Sequence, residues 1–224
     1  MRPLDTAYMW DLVPIILGYV PLTLGMALVA MAAALILAAL LAIVRVLRVP
    51  VADGVVAVFI SFFRGTPLLV QLFLFYYGLP QLVPALTNID GVTAAVIGLT
   101  LHFAAYMAES IRGAILGVDR SQWEAAQSIG MTQGQLLRRI VLPQASRVAA
   151  PTLMNYFIDL IKSTSLAFTL GVTEMMGAAQ KEAAGSFLYL EAFLVVAVIY
   201  WIMVEALSVG QRWMERRLGK AVAR

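Results

Sequence analysis

The chain has 224 residues, of which 62% are hydrophobic and only 13% charged. Soluble domains hold about half apolar and roughly a quarter charged residues, so a core of this size cannot hide the apolar surface and lipid must cover the rest. Cysteine is absent and His102 is the lone histidine, which excludes disulfides, thiolate metal sites and histidine metal clusters; the net charge of +3 matters less than where the charges lie.

The N-terminus, Met1-Arg2-Pro3-Leu4-Asp5, lacks the basic flank and small-residue cleavage site of a signal peptide. A membrane-spanning helix needs about 20 mostly apolar residues. The first such stretch is 20–44, uncharged, rich in Ala and Leu, and closed by Arg45 and Arg48. Residues 50–64 are mixed, with Asp53 at one end, Arg64 at the other and aromatic residues between, which predicts an interfacial helix. A second span is expected over 67–86, a Pro- and Asn-containing turn over 80–91, and a third span over 92–111. Residues 112–147 carry most of the mid-chain charge and cannot span. A fourth span over 148–170 contains Asp159 and Lys162, residues 173–186 are polar and short-helical, and a fifth span covers 187–209 before a basic tail. The expectation is an all-α polytopic membrane helix bundle of about five transmembrane helices, one domain over 1–224 with the loop 112–147 inside it.

Positive charge orients the bundle. With five spans, the 45–66 connection, the 112–147 loop and the tail share one side. They hold all of the 16 basic residues except Arg2, Lys162 and Lys181. The positive-inside rule places that side in the cytoplasm, with the N-terminus outside and the C-terminus inside. An even count of spans would split the basic clusters across both sides.

Within the loop, residues 120–130 favour a helix that Asp119 or Ser121 can cap. Trp123, Ala126 and Ile129 fall at i, i+3 and i+6 and predict one apolar stripe. Gly130 is placed to stop this helix, and a second short helix from Thr132 to about Ile140 is expected to end before Pro143. Such a helix–Gly–helix hairpin either inserts into a groove on another protein or lies on lipid.

Ionisable residues inside spans are costly and are functional candidates by default. Asn155, Asp159 and Lys162, at i, i+4 and i+7, share one face of the fourth span, with Tyr156 and Ser163 beside it. That face must point at a pore or a partner subunit. It could receive the charged ends of a zwitterion, or Asp159 and Lys162 could pair to fix helix packing. Glu109 and Arg112, at i, i+3 near the cytoplasmic end of the third span, read as a structural pair. Gln71 in the second span and Glu191 and Glu205 in the fifth are further candidates, and His102 reads as a buried, hydrogen-bonded residue. No phosphate loop, dinucleotide fingerprint or Ser/His/Asp arrangement is present, so neither catalysis nor ATP binding is expected of this chain.

Glu124-Ala125-Ala126, Gly130 after three further residues, and then Ile140, Leu142 and Pro143 match the spacing EAA-x3-G-x9-I-x-L-P without gaps. This resembles the EAA motif of binding-protein-dependent ABC importer permeases. Residues 63–71 (FRGTPLLVQ), the stretch around Ala108, Glu109, Arg112 and Gly113, the run Leu142-Pro143-Gln144-Ala145, and Lys162-Ser163-Thr164-Ser165-Leu166 resemble its polar-amino-acid branch, over roughly 15–210 in all. Ser163 stands where that branch usually has Asp, which removes a negative charge from the fourth span. The stretch 165–200 resembles permeases for sulfur-containing amino acids such as cystine.

The resemblance implies a mechanism. Two permease subunits, identical or homologous, would pair, and each would insert its EAA helix into a cleft on a cytoplasmic ABC ATPase dimer. Closure of the ATPases on ATP would flip the pore between inward- and outward-facing states. Glu124 would make polar contacts with the ATPase, Ala125 and Ala126 would allow close approach, and Gly130 would permit the turn, with Ile140, Leu142 and Pro143 completing the motif. An extracytoplasmic solute-binding protein would deliver the amino acid. The chain would bind no cofactor of its own, ATP and Mg sitting on the ATPase, and no nucleic acid. The rival class is a self-contained channel or secondary transporter, which would need its own gating or ion-coupling residues and often internal repeats; no clear repeat is visible.

Overall fold

The computed structural model describes residues 3–222, with side chains through Arg217. Arg2, the Lys220 side chain and Arg224, counted above for orientation, lie outside the described residues. In chain order the helices are α1 (Thr6–Leu17), α2 (Val20–Leu47), α3 (Ala52–Gly65), α4 (Leu68–Phe73), α5 (Leu79–Leu82), α6 (Gly91–Leu116), α7 (Arg120–Ser128), α8 (Gln133–Leu136), α9 (Leu142–Ser163), α10 (Met175–Ser186) and α11 (Tyr189–Val222). Two π-helical turns, Leu74–Gly78 and Leu137–Val141, and two 3-10 segments, Pro84–Leu86 and Thr164–Leu170, join them. Among the described residues there is no strand, so the all-α expectation holds.

Three helices, α2, α6 and α11, are long and apolar enough to cross a membrane. Segments 52–65 and 68–82 pass the same length and hydropathy requirement only together, as one broken segment. An interfacial helix over 50–64 leading into a span over 67–86 was expected; the structure has two successive helical segments there, and neither alone reaches spanning length and hydropathy. The break is local: Thr66 is extended at φ −120°, ψ 148°, and Pro67 follows at φ −63°, ψ 137°. Proline cannot donate a helical hydrogen bond and biases its predecessor to extended backbone. Helix α9 has 22 residues, enough to span, but Arg147, Asp159 and Lys162 make it too polar to read as lipid-exposed on all sides. Helix α1 was not expected; it is a mostly apolar helix of 12 residues that precedes the first long span and is shorter than a bilayer requires.

The described residues form two compact units. The first comprises residues 1–32, 67–100 and 157–210; the second comprises 33–66, 101–156 and 211–224. In the first, α1, α10 and α11 close a core around Leu12, Ile16, Met175, Ala179, Ala183, Val195 and Val196. Asp5 caps α1 by accepting from the Tyr8 amide at 3.0 Å, and its own amide donates to Glu191 at 3.3 Å. Glu191, expected as a candidate site residue, is thus spent on the N-terminal cap. A second cluster gathers Met26, Leu72, Ala94, Ala95, Ala167 and Leu170. Gly98 is closely approached there: a Cβ would meet Leu72 Cδ2, the end of a side chain, at 2.5 Å. Gly177 lets α10 lie against the Val172 carbonyl, where a Cβ would collide with backbone. In α2 the buried stripe Ala27, Ala30, Ala34, Ala38 and Ala42 follows helical spacing, while Leu28, Val29, Ile36 and Leu40 stay exposed. Small residues on one face and large apolar ones on the other suit a helix that packs closely on protein and turns its back to lipid.

The second unit carries the 112–147 loop. Its core is Ala114, Ile115, Ala126, Leu136, Val141, Ala145 and Ala149, with Val46, Trp123 and Leu153 packed against it. Arg45 at the end of α2 pairs with Asp53 of α3 at 2.7 Å.

Candidate functional site

The hairpin begins at Asp119, whose carboxylate accepts from the Ser121 amide at 2.8 Å and so caps α7. That backbone hydrogen bond, helped by the Ser121 side chain, holds the Asp119 carboxyl below its ordinary range. Gly130, at φ 79°, stops α7. Its amide donates to the Gln127 carbonyl at 2.9 Å, and the Met131 amide donates to the Ala126 carbonyl at 3.1 Å. This pair of bonds is a Schellman stop, in which a left-handed residue satisfies the last carbonyls of a helix. Thr132 starts the return with a reciprocal capping box: the Gln135 amide donates to Thr132 Oγ1 at 3.3 Å and the Thr132 amide to Gln135 Oε1 at 3.0 Å. Both ends of the turn are therefore fully hydrogen-bonded.

The hairpin divides its side chains between two faces. Ala126, 2% exposed, and Leu136, 1% exposed, anchor it, and Gln144 Nε2 of α9 ties it down by donating to Gln122 Oε1 at 2.6 Å and to the Ile140 carbonyl at 2.9 Å. Glu124, Ala125, Gln127, Ser128 and Ile129 face outward. Glu124 pairs with Arg120 at 3.2 Å, with both side chains largely exposed. Two expectations are corrected here. Ile129 does not continue the buried stripe of Trp123 and Ala126; as the cap residue it leaves helical register and is 78% exposed. Nor does Pro143 end the second helix: α8 runs through the π turn Leu137–Val141 straight into α9. A π turn widens the ring by one residue, which opens the space a proline ring needs beside the preceding turn. Ile140 is half-buried, and Leu142 and Pro143 are exposed.

The other site residues fall in separate places. In the second unit, Asn155 Oδ1 accepts from Gln211 Nε2 at 2.9 Å, and the hydroxyls of Tyr156 and Ser110 lie 3.0 Å apart. Arg112 reaches Glu109 with two nitrogens, Nη2 at 2.8 Å and Nε at 3.2 Å, the pair expected from spacing. In the first unit, Lys162 Nζ sits 2.6 Å from Asp159 Oδ1 with both side chains about half exposed, and Ser163 Oγ donates to the Asp159 carbonyl at 2.8 Å. Gln71 on α4 is fully buried, and Glu205 is exposed on α11. Two features were not anticipated. Glu174 is fully buried, caps α10 by accepting from the Gly177 amide at 2.8 Å, and accepts from the Tyr200 hydroxyl at 2.9 Å; a Glu directly before a helix-forming run was the available signal. The other is the packing of Arg64 on Tyr106; the i, i+4, i+8 spacing of His102, Tyr106 and Ser110 marks their shared face of α6 but not its contact with Arg64.

A helical membrane bundle bearing a capped hairpin with an EAA sequence defines a class of transport protein. The family of binding-protein-dependent transport system inner membrane components matches residues 30–220, and the chain belongs to that family. It is 60% identical to a probable amino-acid ABC transporter permease protein of Vibrio harveyi, over 98% of this chain and 99% of that one. It is 42% identical to an L-cystine transport system permease protein of Bacillus subtilis (strain 168), over 99% and 96% of the two chains. Among solved structures, an amino acid ABC transporter crystallised with histidines superposes with a TM-score of 0.88 at 31% identity, covering 96% of this chain and 100% of that one. An inward-facing methionine ABC transporter shares the fold, with a TM-score of 0.79 at 18% identity over 93% and 98% of the chains. The chain is thus a multi-pass membrane permease subunit and not an enzyme. A self-contained channel or secondary transporter is not favoured.

Proposed function

We propose that this chain is the permease of an ATP-driven importer that carries a polar amino acid, cystine or a related sulfur amino acid, across the cytoplasmic membrane. The observation that carries the reading is the hairpin: a turn hydrogen-bonded at both ends, anchored by Ala126 and Leu136, that presents Glu124, Ala125 and Ile129 outward. A stiff, externally polar hairpin is a device for receiving force from a protein partner. The partner is a cytoplasmic ABC ATPase dimer, which holds the ATP and Mg. Glu124 and Ala125 meet it directly, Ala126 and Gly130 shape the helix that does so, and Ile140, Leu142 and Pro143 pass the motion into α9. The whole chain acts as one permease domain, paired with a second permease subunit, and a solute-binding protein delivers the amino acid on the far side. Asn155, Tyr156, Asp159, Lys162, Ser163 and Gln71 belong to the substrate path in this reading, and Glu109–Arg112 is a structural pair. The N-terminus faces outward and the C-terminus the cytoplasm.

The test is reconstitution of the assembled transporter in liposomes. Glu124→Ala and Gly130→Val abolish the ATP hydrolysis stimulated by loaded binding protein, while membrane insertion persists. Unchanged coupling in both variants overturns the docking role. Because the chain has no cysteine, single substitutions Thr6→Cys and Ser128→Cys report orientation: an impermeant maleimide added to intact cells labels the first and not the second.

A further inference from the structure

His102, Tyr106 and Ser110 share one face of α6, at i, i+4 and i+8, whereas Phe103, Ala104, Ala105, Met107 and Ala108 on its other faces are buried. Tyr106 is the hub of this face. The Arg64 guanidinium stands over its ring, 5.5 Å from the centroid, and its hydroxyl donates to the Arg64 carbonyl at 3.3 Å. The rings of His102 and of Tyr156 on α9 lie 5.0 Å and 6.2 Å away. The Tyr156 hydroxyl meets Ser110 Oγ at 3.0 Å, and Ser110 opens onto a cavity of about 360 Å³ lined further by Gly113, Gly117, Gln122, Gln144 and Thr152. Ligand sites commonly enclose roughly 300–1,000 Å³ with a few convergent polar groups.

The charges in this unit are unequal in their partners. Arg45 is paired with Asp53, Arg112 with Glu109 and Arg120 with Glu124. Among the described residues no carboxylate lies within ion-pair distance of Arg64, which is exposed, nor of Arg48, Arg138, Arg139 and Arg147 in the same unit; of these five, Arg64 alone stands over an aromatic ring. It stands at the C-terminal end of α3, next to the break of the broken candidate span. An ionisable group in a spanning segment is costly unless it serves a path or a partner, and interrupted helices are where transporters build substrate sites. A guanidinium within about 6 Å of an aromatic centroid is attracted to the ring, and its forked N–H donors match the two oxygens of a carboxylate.

We propose that Arg64, supported by Tyr106, binds the α-carboxylate of the amino acid in transit, with the hydroxyls of Tyr156 and Ser110 leading from it into the cavity. This rests on the amino-acid import reading and adds a site to it. The test uses the complete membrane complex, purified through a tag on this chain and held in nanodiscs without binding protein. Equilibrium binding is measured for labelled L-cystine and L-arginine and for their decarboxylated counterparts, cystamine and agmatine. The wild type binds at least one amino acid and neither amine; Arg64→Gln weakens that binding roughly tenfold or more, and Arg64→Lys recovers part of it because it keeps the charge without the two-pronged geometry. Equal binding by wild type and Arg64→Gln overturns the proposal, as does binding of an amine as tight as its amino acid, or no binding of either amino acid to the wild type. If Arg64→Gln does not assemble, Tyr106→Leu is measured in the same way, and wild-type affinity in that variant overturns the proposal. Uptake in proteoliposomes separates the two readings. Import by wild type together with undiminished binding in Arg64→Gln removes this site alone; absence of any amino-acid import removes the importer reading and this inference with it.

Discussion

The Met131 amide reaches back across Gly130 to the carbonyl of Ala126 at 3.1 Å, so the residue that anchors the hairpin also closes its turn. The geometry needs Gly130 in the left-handed region, at φ 79°, and no atom lies within 4 Å of where its Cβ would be. The cost of Gly130→Ala is therefore conformational, about 1–2 kcal/mol. Gly130→Asn is milder, since Asn tolerates this backbone. Stimulated ATP hydrolysis in the reconstituted complex should fall in the order glycine, asparagine, alanine, valine. Equal rates for asparagine and valine would show that the turn's conformation does not matter for coupling.

The Asp119 cap makes the start of α7 sensitive to acid. Its carboxyl is held below the ordinary value by the Ser121 amide. A depressed folded-state value means that the stabilisation is present above the unfolded value and is lost as pH falls through the lower, folded one. Amide hydrogen exchange of residues 121–124, corrected for intrinsic rate, should therefore accelerate as pH drops below about 4. Asp119→Asn, which caps without ionising, should remove that acceleration.

Glu174 is held by two donors, Gly177 N–H and Tyr200 O–H. Glu174→Leu strands both in a buried place, and each unmatched group costs about 1–3 kcal/mol. Glu174→Gln keeps an acceptor and should lose less. Thermal unfolding in detergent, followed by size-exclusion recovery after heating, should rank wild type above Gln and Gln above Leu. Tyr200→Phe should have a smaller effect than Glu174→Leu, because it removes a single bond.

Gly98 and Gly177 are both closely approached, but by different atoms. The Cβ of an alanine at 98 meets the end of the Leu72 side chain at 2.5 Å, which can rotate, whereas at 177 it meets the Val172 carbonyl. Gly177→Ala should therefore destabilise by about 1–3 kcal/mol and Gly98→Ala by less. Matching thermal stabilities for the two variants would contradict this distinction.

Asp159 and Lys162 are paired at 2.6 Å yet half exposed, and an exposed pair contributes only about 0–1 kcal/mol. Asp159→Asn should leave assembly with the ATPase intact while lowering amino-acid uptake. Uptake equal to the parent would remove Asp159 from the substrate path.

The sequence was most informative where a rule is local. An uncharged run of apolar residues specified α2, and Gly130 and Thr132 marked the two ends of the turn. Spacing alone foretold Glu109–Arg112 and offered the Asp159–Lys162 pair as one of two readings. Errors arose where the outcome depended on geometry further along the chain. Ile129 fits an apolar stripe on paper, but the helix ends one residue before it, and the cap conformation turns it outward. Pro143 looks like a stop until a π turn makes room for it, and no composition signal marks that turn. Helix α1 is too short to announce itself as a span and is held by Asp5, Glu191 and the α10–α11 core. The Arg64–Tyr106 stack joins residues 42 positions apart in sequence, beyond the reach of periodicity.

The π turn at Leu137–Val141 sets a phase. An α-helix advances about 100° and 1.5 Å per residue, so the one additional residue held in that turn fixes which way the hairpin points relative to the side chains of α9. Deleting one residue there would convert the turn to ordinary helix and swing Glu124 and Ile129 by about a quarter of a revolution. The hairpin would remain folded and capped but aimed elsewhere, like a key cut correctly and set at the wrong angle in its shaft.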